Sequence, residues 1–201
     1  MELPMKKRFR IILNAPVVIV FVAICFLATV SNMITGGAMN RILFMTYRSS
    51  FSSPMTYIRL FTHVFGHGNW EHLIGNMTYI LLLGPMLEEK YRSKTLMFVI
   101  LITALVTGGL NLLFFPNAAL CGASGVVFAF IVMSSFTGFK EGEIPITFLL
   151  VAVFFIGQQV IQGLFIMDNV SNMSHIAGGI LGGFLGYSTN KKQYPERKSG
   201  K

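Results

Sequence analysis

Charge is scarce in this chain. Only 12% of its 201 residues are Asp, Glu, Lys or Arg, about half the share of an ordinary soluble domain. Internal repeats, low-complexity tracts and any stretch with the composition of a soluble domain are also missing, so a single domain with short tails is expected. Cysteine is limited to Cys25 and Cys121. The first falls inside an apolar run and the second just before a later one, at different depths. A disulfide needs Cα atoms within about 7 Å, so both are read as free thiols packing as small apolar groups. What fills the space is apolar: 53% hydrophobic residues and a mean hydropathy of +0.65. Several stretches approach or exceed the roughly 18 residues that suggest a bilayer-crossing helix. The fold class expected is all-α, a polytopic membrane protein.

Six spans are expected, at about 15–35, 71–89, 95–115, 123–139, 144–165 and 174–189. The net charge of +8 falls between and outside them rather than on a basic, aromatic-laced surface, which argues against nucleic acid. Met5-Lys6-Lys7-Arg8-Phe9-Arg10 precedes the first span. Lys90, Arg92 and Lys94 separate the second and third, and Lys140 separates the fourth and fifth. Lys191, Lys192, Arg197, Lys198 and Lys201 follow the last. With a cytoplasmic N-terminus, all these groups share one side and only Arg41, Arg48 and Arg59 lie opposite. The positive-inside rule therefore selects cytoplasmic termini. No convincing small-x-small cleavage site follows the first run, which argues against a removed signal peptide. The domain layout is then residues 1–14 as a cytoplasmic N-terminal tail, 15–189 as a six-helix membrane domain, and 190–201 as a cytoplasmic C-terminal tail. Residues 36–69 contain "MNRILFMTYRSS" and "MTYIRLFTHVFG", too short and too polar to span, and suit short helices in the interface.

Polar side chains at membrane depth are costly and need a reason. In this topology the second, fourth and sixth spans all run inward from the outer side. Their first turns hold His72 and Asn76 in "WEHLIGNM", Ser124 in "CGASGVV" and His175 in "NMSHIAGG". Alone, such a serine bonds back to a carbonyl one turn earlier, and such a histidine satisfies a neighbour. Together, at one depth, they suggest chemistry. A serine hydroxyl becomes a nucleophile when a base takes its proton, and histidine is the usual base, so Ser124 and His175 make a candidate dyad. Gly122 and Gly125 leave Ser124 unobstructed at a helix start, where backbone N–H groups lack intrahelical partners. Those donors, with Asn76 and His72, would stabilise the oxyanion formed on attack. Gly178, Gly182 and Gly186 recur every four residues on the last span, with Gly125 and Ala129 as small counterparts on the fourth, a pattern that lets helices approach closely.

These motifs resemble the rhomboid intramembrane serine proteases. "HGNWEHLIGN" is similar to that family's second-span motif, "GASG" to its nucleophile motif, "HIAGGILGG" to its last-span motif, and "GPMLEEK" to the end of its second span, where Glu88 matches a bracing glutamate. The resemblance runs from about Arg59 to Gly186. It implies the six-span bacterial-type form in an inner (plasma) membrane, the active site toward the outer side and residues 36–69 as a membrane-embedded first loop. It further implies cleavage of single-pass transmembrane proteins in or near the bilayer, by a dyad of Ser124 and His175 with Asn76 and His72 in the oxyanion hole, and neither cofactor nor metal. Two positions depart from the family pattern: Ile58-Arg59 stands where Trp-Arg is common, and Phe128 where Tyr commonly stacks on the catalytic histidine.

Three rivals are weaker. A metalloprotease could draw on His63, His67 and His72, but Glu71-His72 is no part of an H-E-x-x-H motif and no acidic third ligand is near. A transporter would want ionisable groups in the middle of the first, third or fifth span, where there are none. An inactive rhomboid-like protein that binds membrane helices is opposed by the intact Ser124 and His175.

Overall fold

The computed structural model describes residues 12–137, 144, 146–157, 161 and 169–193. The basic run before residue 11, Lys140 and the residues after 193 lie outside these, as does most of the second half of the fifth expected span. In chain order the helices are α1 (Pro16–Ile34), α2 (Pro54–Thr62), α3 (Trp70–Tyr91), α4 (Ser93–Phe114), α5 (Ser124–Ser134), α6 (Ile146–Val151) and α7 (Asn169–Gln193). Short π-helical stretches cover Asn40–Phe44 and Ala152–Ile156, and a 3-10 turn covers His63–Phe65. The described residues contain no strand, only an isolated antiparallel bridge between Thr46 and Leu120.

The helix ends follow from local chemistry. Pro16 opens α1 without an N–H to waste, and the next two donors, Val17 and Val18, are taken at 3.0 Å each by the carboxylate of Glu88. Ser93 donates its hydroxyl to the same carboxylate at 2.7 Å. Glu88 is buried and so ties the end of α3 to the starts of α1 and α4, doing for α1 what an N-cap side chain would. Asn69 caps α3 itself, accepting the His72 N–H at 2.8 Å.

Among the described residues α1 (19 residues) and α4 (22 residues) are long and apolar enough to cross a bilayer. α3 and α7 match them in length, at 22 and 25 residues, but carry the polar groups of interest. α5 is shorter than its expected span 123–139. It covers 11 residues, about 16 Å of helix, because the chain tightens after Ser134. Ser135, Phe136 and Thr137 donate to carbonyls three residues back instead of four, and the Ser134 and Thr137 hydroxyls also fold onto such carbonyls. α7 differs the other way, starting at Asn169 where the span was expected from 174.

α5 is enclosed, with Val126, Ala129, Phe130 and Met133 almost wholly buried. α7 lies against it through glycines. A Cβ on Gly178 would collide with the Gly125 carbonyl oxygen, and one on Gly182 with that of Ala129. The two backbones therefore touch. At the far end Asn190 of α7 donates to the Tyr91 hydroxyl at 3.1 Å and to the Phe136 carbonyl, closing α3, α7 and the turn after α5 together.

Candidate active site

Ser124 is the first residue of α5, and the loop before it is tied down by backbone from elsewhere. Thr46 and Leu120 exchange two hydrogen bonds of 2.9 Å, and the Gly122 N–H donates to the His63 carbonyl at 2.9 Å. Asn111 of α4 donates to the Thr46 and Ala118 carbonyls at 3.1 and 3.3 Å. Gly122 has φ +128°, a region that favours glycine. A Cβ there would also lie 2.7 Å from His72 Nε2, with Asn76 Nδ2 at 3.8 Å. Glycine at 122 is thus required twice, by its own backbone and by the two side chains that face it.

Asn76 is buried, and its Nδ2 has no hydrogen-bond partner. An unpaired buried amide donor costs about 1–3 kcal/mol, so it is an observation to be explained. It faces the segment that ends in Ser124. His72 stands one turn before it on α3, held by the Asn69 cap and set edge-to-face against His67 at 5.0 Å between ring centroids.

From the other side comes α7. His175 is half-buried, and the Phe128 ring, one turn after Ser124 on α5, lies flat on its imidazole at 4.3 Å with planes 7° apart. A Cβ on Gly125 would sit at ordinary contact distance, 3.5 Å, from the Ser174 carbonyl. The α5 turn that begins with Ser124 and the α7 turn that bears His175 are therefore packed together. All four residues singled out from the sequence, Ser124, His175, His72 and Asn76, gather around Gly122–Gly125.

His63, His67 and His72 are not one cluster. His63 donates from Nδ1 to the Leu60 carbonyl at 3.1 Å and places Nε2 3.2 Å from the Thr107 hydroxyl, on α4. His67 donates from Nδ1 to the Phe65 carbonyl at 3.1 Å. Both lie in the connection between α2 and α3. Burial pushes the His63 and His67 imidazoles down to about 4, against smaller opposing contributions from their backbone hydrogen bonds; at His67 the charge of His72 lowers it further.

The anchors of the loop, Thr46, Asn111 and His63 through its carbonyl, carry no motif in the sequence. Nothing local marks them, because their holds on the loop reach it from distant segments: Thr46 lies 74 residues from Leu120, the His63 carbonyl 59 from Gly122, and Asn111 65 from Thr46, with only the Asn111–Ala118 bond short in sequence. In the sequence Arg59 stands out as one of three outer-side charges and as half of the dipeptide Ile58-Arg59. It is buried, its guanidinium 4.2 Å over the Tyr47 ring, and it donates to the Tyr47 hydroxyl, to Ser49 Oγ at 2.9 Å and to the Arg41 carbonyl at 3.3 Å. That arginine folds residues 41–49 onto α2. The neighbouring Ile58 points outward, 43% exposed.

Known proteins resemble this chain in sequence. The family model described as the Rhomboid domain matches residues 54–192, which contain all four residues. Rhomboid-related protein 2 of Mus musculus is 30% identical over 157 residues, covering 68% of this chain and 52% of its own length. Rhomboid-related protein 1 of Caenorhabditis elegans is 29% identical over 138 residues, 64% of this chain and 39% of its own. Rhomboid protease GlpG of Salmonella newport (strain SL254) is 29% identical over 126 residues, 62% of this chain and 45% of its own. The chain spans about half the length, or less, of these curated relatives. With the model match covering more than half of its residues, the chain belongs to the rhomboid family of membrane-embedded proteins.

Proposed function

We propose that the protein is an intramembrane serine endopeptidase that cuts single-pass transmembrane proteins in or near the bilayer. The observation that carries this is the convergence at Gly122–Gly125: a serine at a helix start, a histidine on the helix packed against it, and an unpaired buried amide donor facing the same loop. In this reading His175 accepts the Ser124 proton as Oγ attacks the scissile carbonyl, then returns it to the departing amine. Water enters the acyl-enzyme by the same route, His175 again serving as base. Phe128 holds the plane of the imidazole. The oxyanion is met by Asn76, by His72 and by free backbone N–H groups at the start of α5, donors worth about 10²–10³ in rate each.

Six spans, cytoplasmic termini and a site toward the outer side of a bacterial inner membrane complete the proposal, supported by the split of basic residues in the sequence. A carbonyl inside a membrane helix is already hydrogen-bonded, so substrates with Gly or Pro near the outer part of their span are expected to be cut best. The test is incubation of the purified protein with a generic single-pass substrate, beside Ser124→Ala. A fluorophosphonate should label Ser124 only when His175 is intact. Undiminished cleavage by Ser124→Ala overturns the assignment.

A further inference from the structure

At the end of the bundle away from Ser124, α4 and α7 leave between them a cleft of about 600 Å³. Residues four apart share a helix face, and the lining forms two rungs. The rung at the helix ends is polar: Lys94 and Thr95 of α4 opposite Ser188 and Thr189 of α7. One turn further in, the rung is apolar, with Phe98 and Phe184 flanking the opening. Those two rings are 55% and 67% exposed, which in a membrane-embedded chain means they face lipid.

Among the described residues the polar rung has no protein partner, and Lys94 is exposed. Among the described residues, the hydroxyls of Thr95, Ser188 and Thr189 make no hydrogen bond, and the Lys94 ammonium makes neither a hydrogen bond nor an ion pair. This differs from most helix hydroxyls of the chain, Thr103 of α4 being another without a partner. Thr29, Thr78, Thr107 and Ser134 all turn their hydroxyls back onto a carbonyl three or four residues earlier, as helix hydroxyls in apolar surroundings do. Nearby Lys90 is also engaged, donating to the Thr137 carbonyl. One cation and three hydroxyl donors thus stand without partners directly above an open apolar slot.

We propose that this cleft binds one anionic phospholipid, its phosphate on Lys94 and the Thr95, Ser188 and Thr189 hydroxyls, and the start of an acyl chain between Phe98 and Phe184. A free anion would leave the apolar rung unused, and an uncharged acylglycerol would leave the ammonium unpaired. Ser188 lies 13 residues beyond His175 on α7, about 20 Å along the helix, so the cleft is separate from the candidate active site. Its test does not depend on proteolysis.

The experiment is native mass spectrometry of the protein released from nanodiscs of mixed phosphatidylglycerol and phosphatidylcholine. One retained phosphatidylglycerol per chain is expected. Lys94→Gln should weaken retention about fivefold, the worth of one lysine near an anionic surface, and the Ser188→Ala/Thr189→Val pair should weaken it further. Arg92→Gln, at the same end but outside the cleft, should change it less than twofold. Thermal melts of each variant in the same nanodiscs should coincide with wild type. Three results overturn the site: equal losses for Lys94→Gln and Arg92→Gln, which would mean a diffuse charged surface; displacement of the lipid by millimolar inorganic phosphate; or equal retention of phosphatidylcholine.

Discussion

Gly178 rests on the carbonyl of Gly125, with no room for a methyl group between α7 and α5. The contact lies one residue past Ser124 and three past His175, so the distance between those two is set by backbone touching backbone. Gly178→Ala should separate the helices, lower the melting midpoint in detergent, where overpacking typically costs about 1–3 kcal/mol, and reduce cleavage more steeply than stability. Gly75→Ala, where an added Cβ meets nothing within 4 Å, is the matched control. Equal activity for the two variants would separate the helix contact from the chemistry.

Gly122 carries a second expectation. Its positive φ and the 2.7 Å approach of His72 Nε2 to any Cβ mean that Gly122→Ala displaces both the loop and the donors. Turnover should fall at least as far as in Asn76→Ala, about 10²–10³, while apparent substrate affinity changes little, because oxyanion contacts strengthen in the transition state. A KM effect without a kcat effect would place Gly122 in substrate binding.

The stacked ring of Phe128 predicts a graded series. Phe128→Tyr keeps the face at 4.3 Å from His175 and should retain activity within a few-fold. Phe128→Ala removes a ring contact worth about 0.5–1.5 kcal/mol and should lose roughly tenfold in kcat/KM. If both variants match wild type, the stack does not orient the imidazole.

Much of this was legible in the sequence, for physical reasons. Long apolar runs bounded by Pro16, Arg92 and Ser93 place α1, α3 and α4 within two residues of expectation. The expectation that His72, Asn76, Ser124 and His175 share one depth comes from counting spans, and the Gly178/Gly182 face from its four-residue spacing. What was not legible depends on backbone paths. The early end of α5 comes from a change in hydrogen-bond register after Ser134 that no side-chain pattern announces. The positive φ of Gly122, the Thr46–Leu120 bridge and the hold of the His63 carbonyl on Gly122 exist only once distant segments meet. Glu88 could be matched to a bracing role by resemblance, but its use as the cap of α1 depends on Val17 and Val18 arriving from 71 and 70 residues away.

The last prediction concerns acid. His63 and His67 are almost wholly buried, and burial lowers both imidazoles to about 4 from 6.5. The unfolded chain therefore binds protons that the folded chain refuses, between pH 6.5 and 4. Stability rises with pH wherever the unfolded state holds more protons. The contribution of these two histidines should thus be constant above about pH 7 and turn into a loss of stability as pH falls through this window. Each histidine adds a slope of up to about 1.4 kcal/mol per pH unit. His67 is the cleaner probe, since its Nε2 has no hydrogen-bond partner to lose, whereas His63 also touches Thr107. Melting midpoints of wild type and His67→Gln, measured in one detergent from pH 4 to 8, should converge as pH falls, the variant having the flatter profile. Parallel profiles would mean that His67 titrates at its ordinary value and that the connection between α2 and α3 admits water.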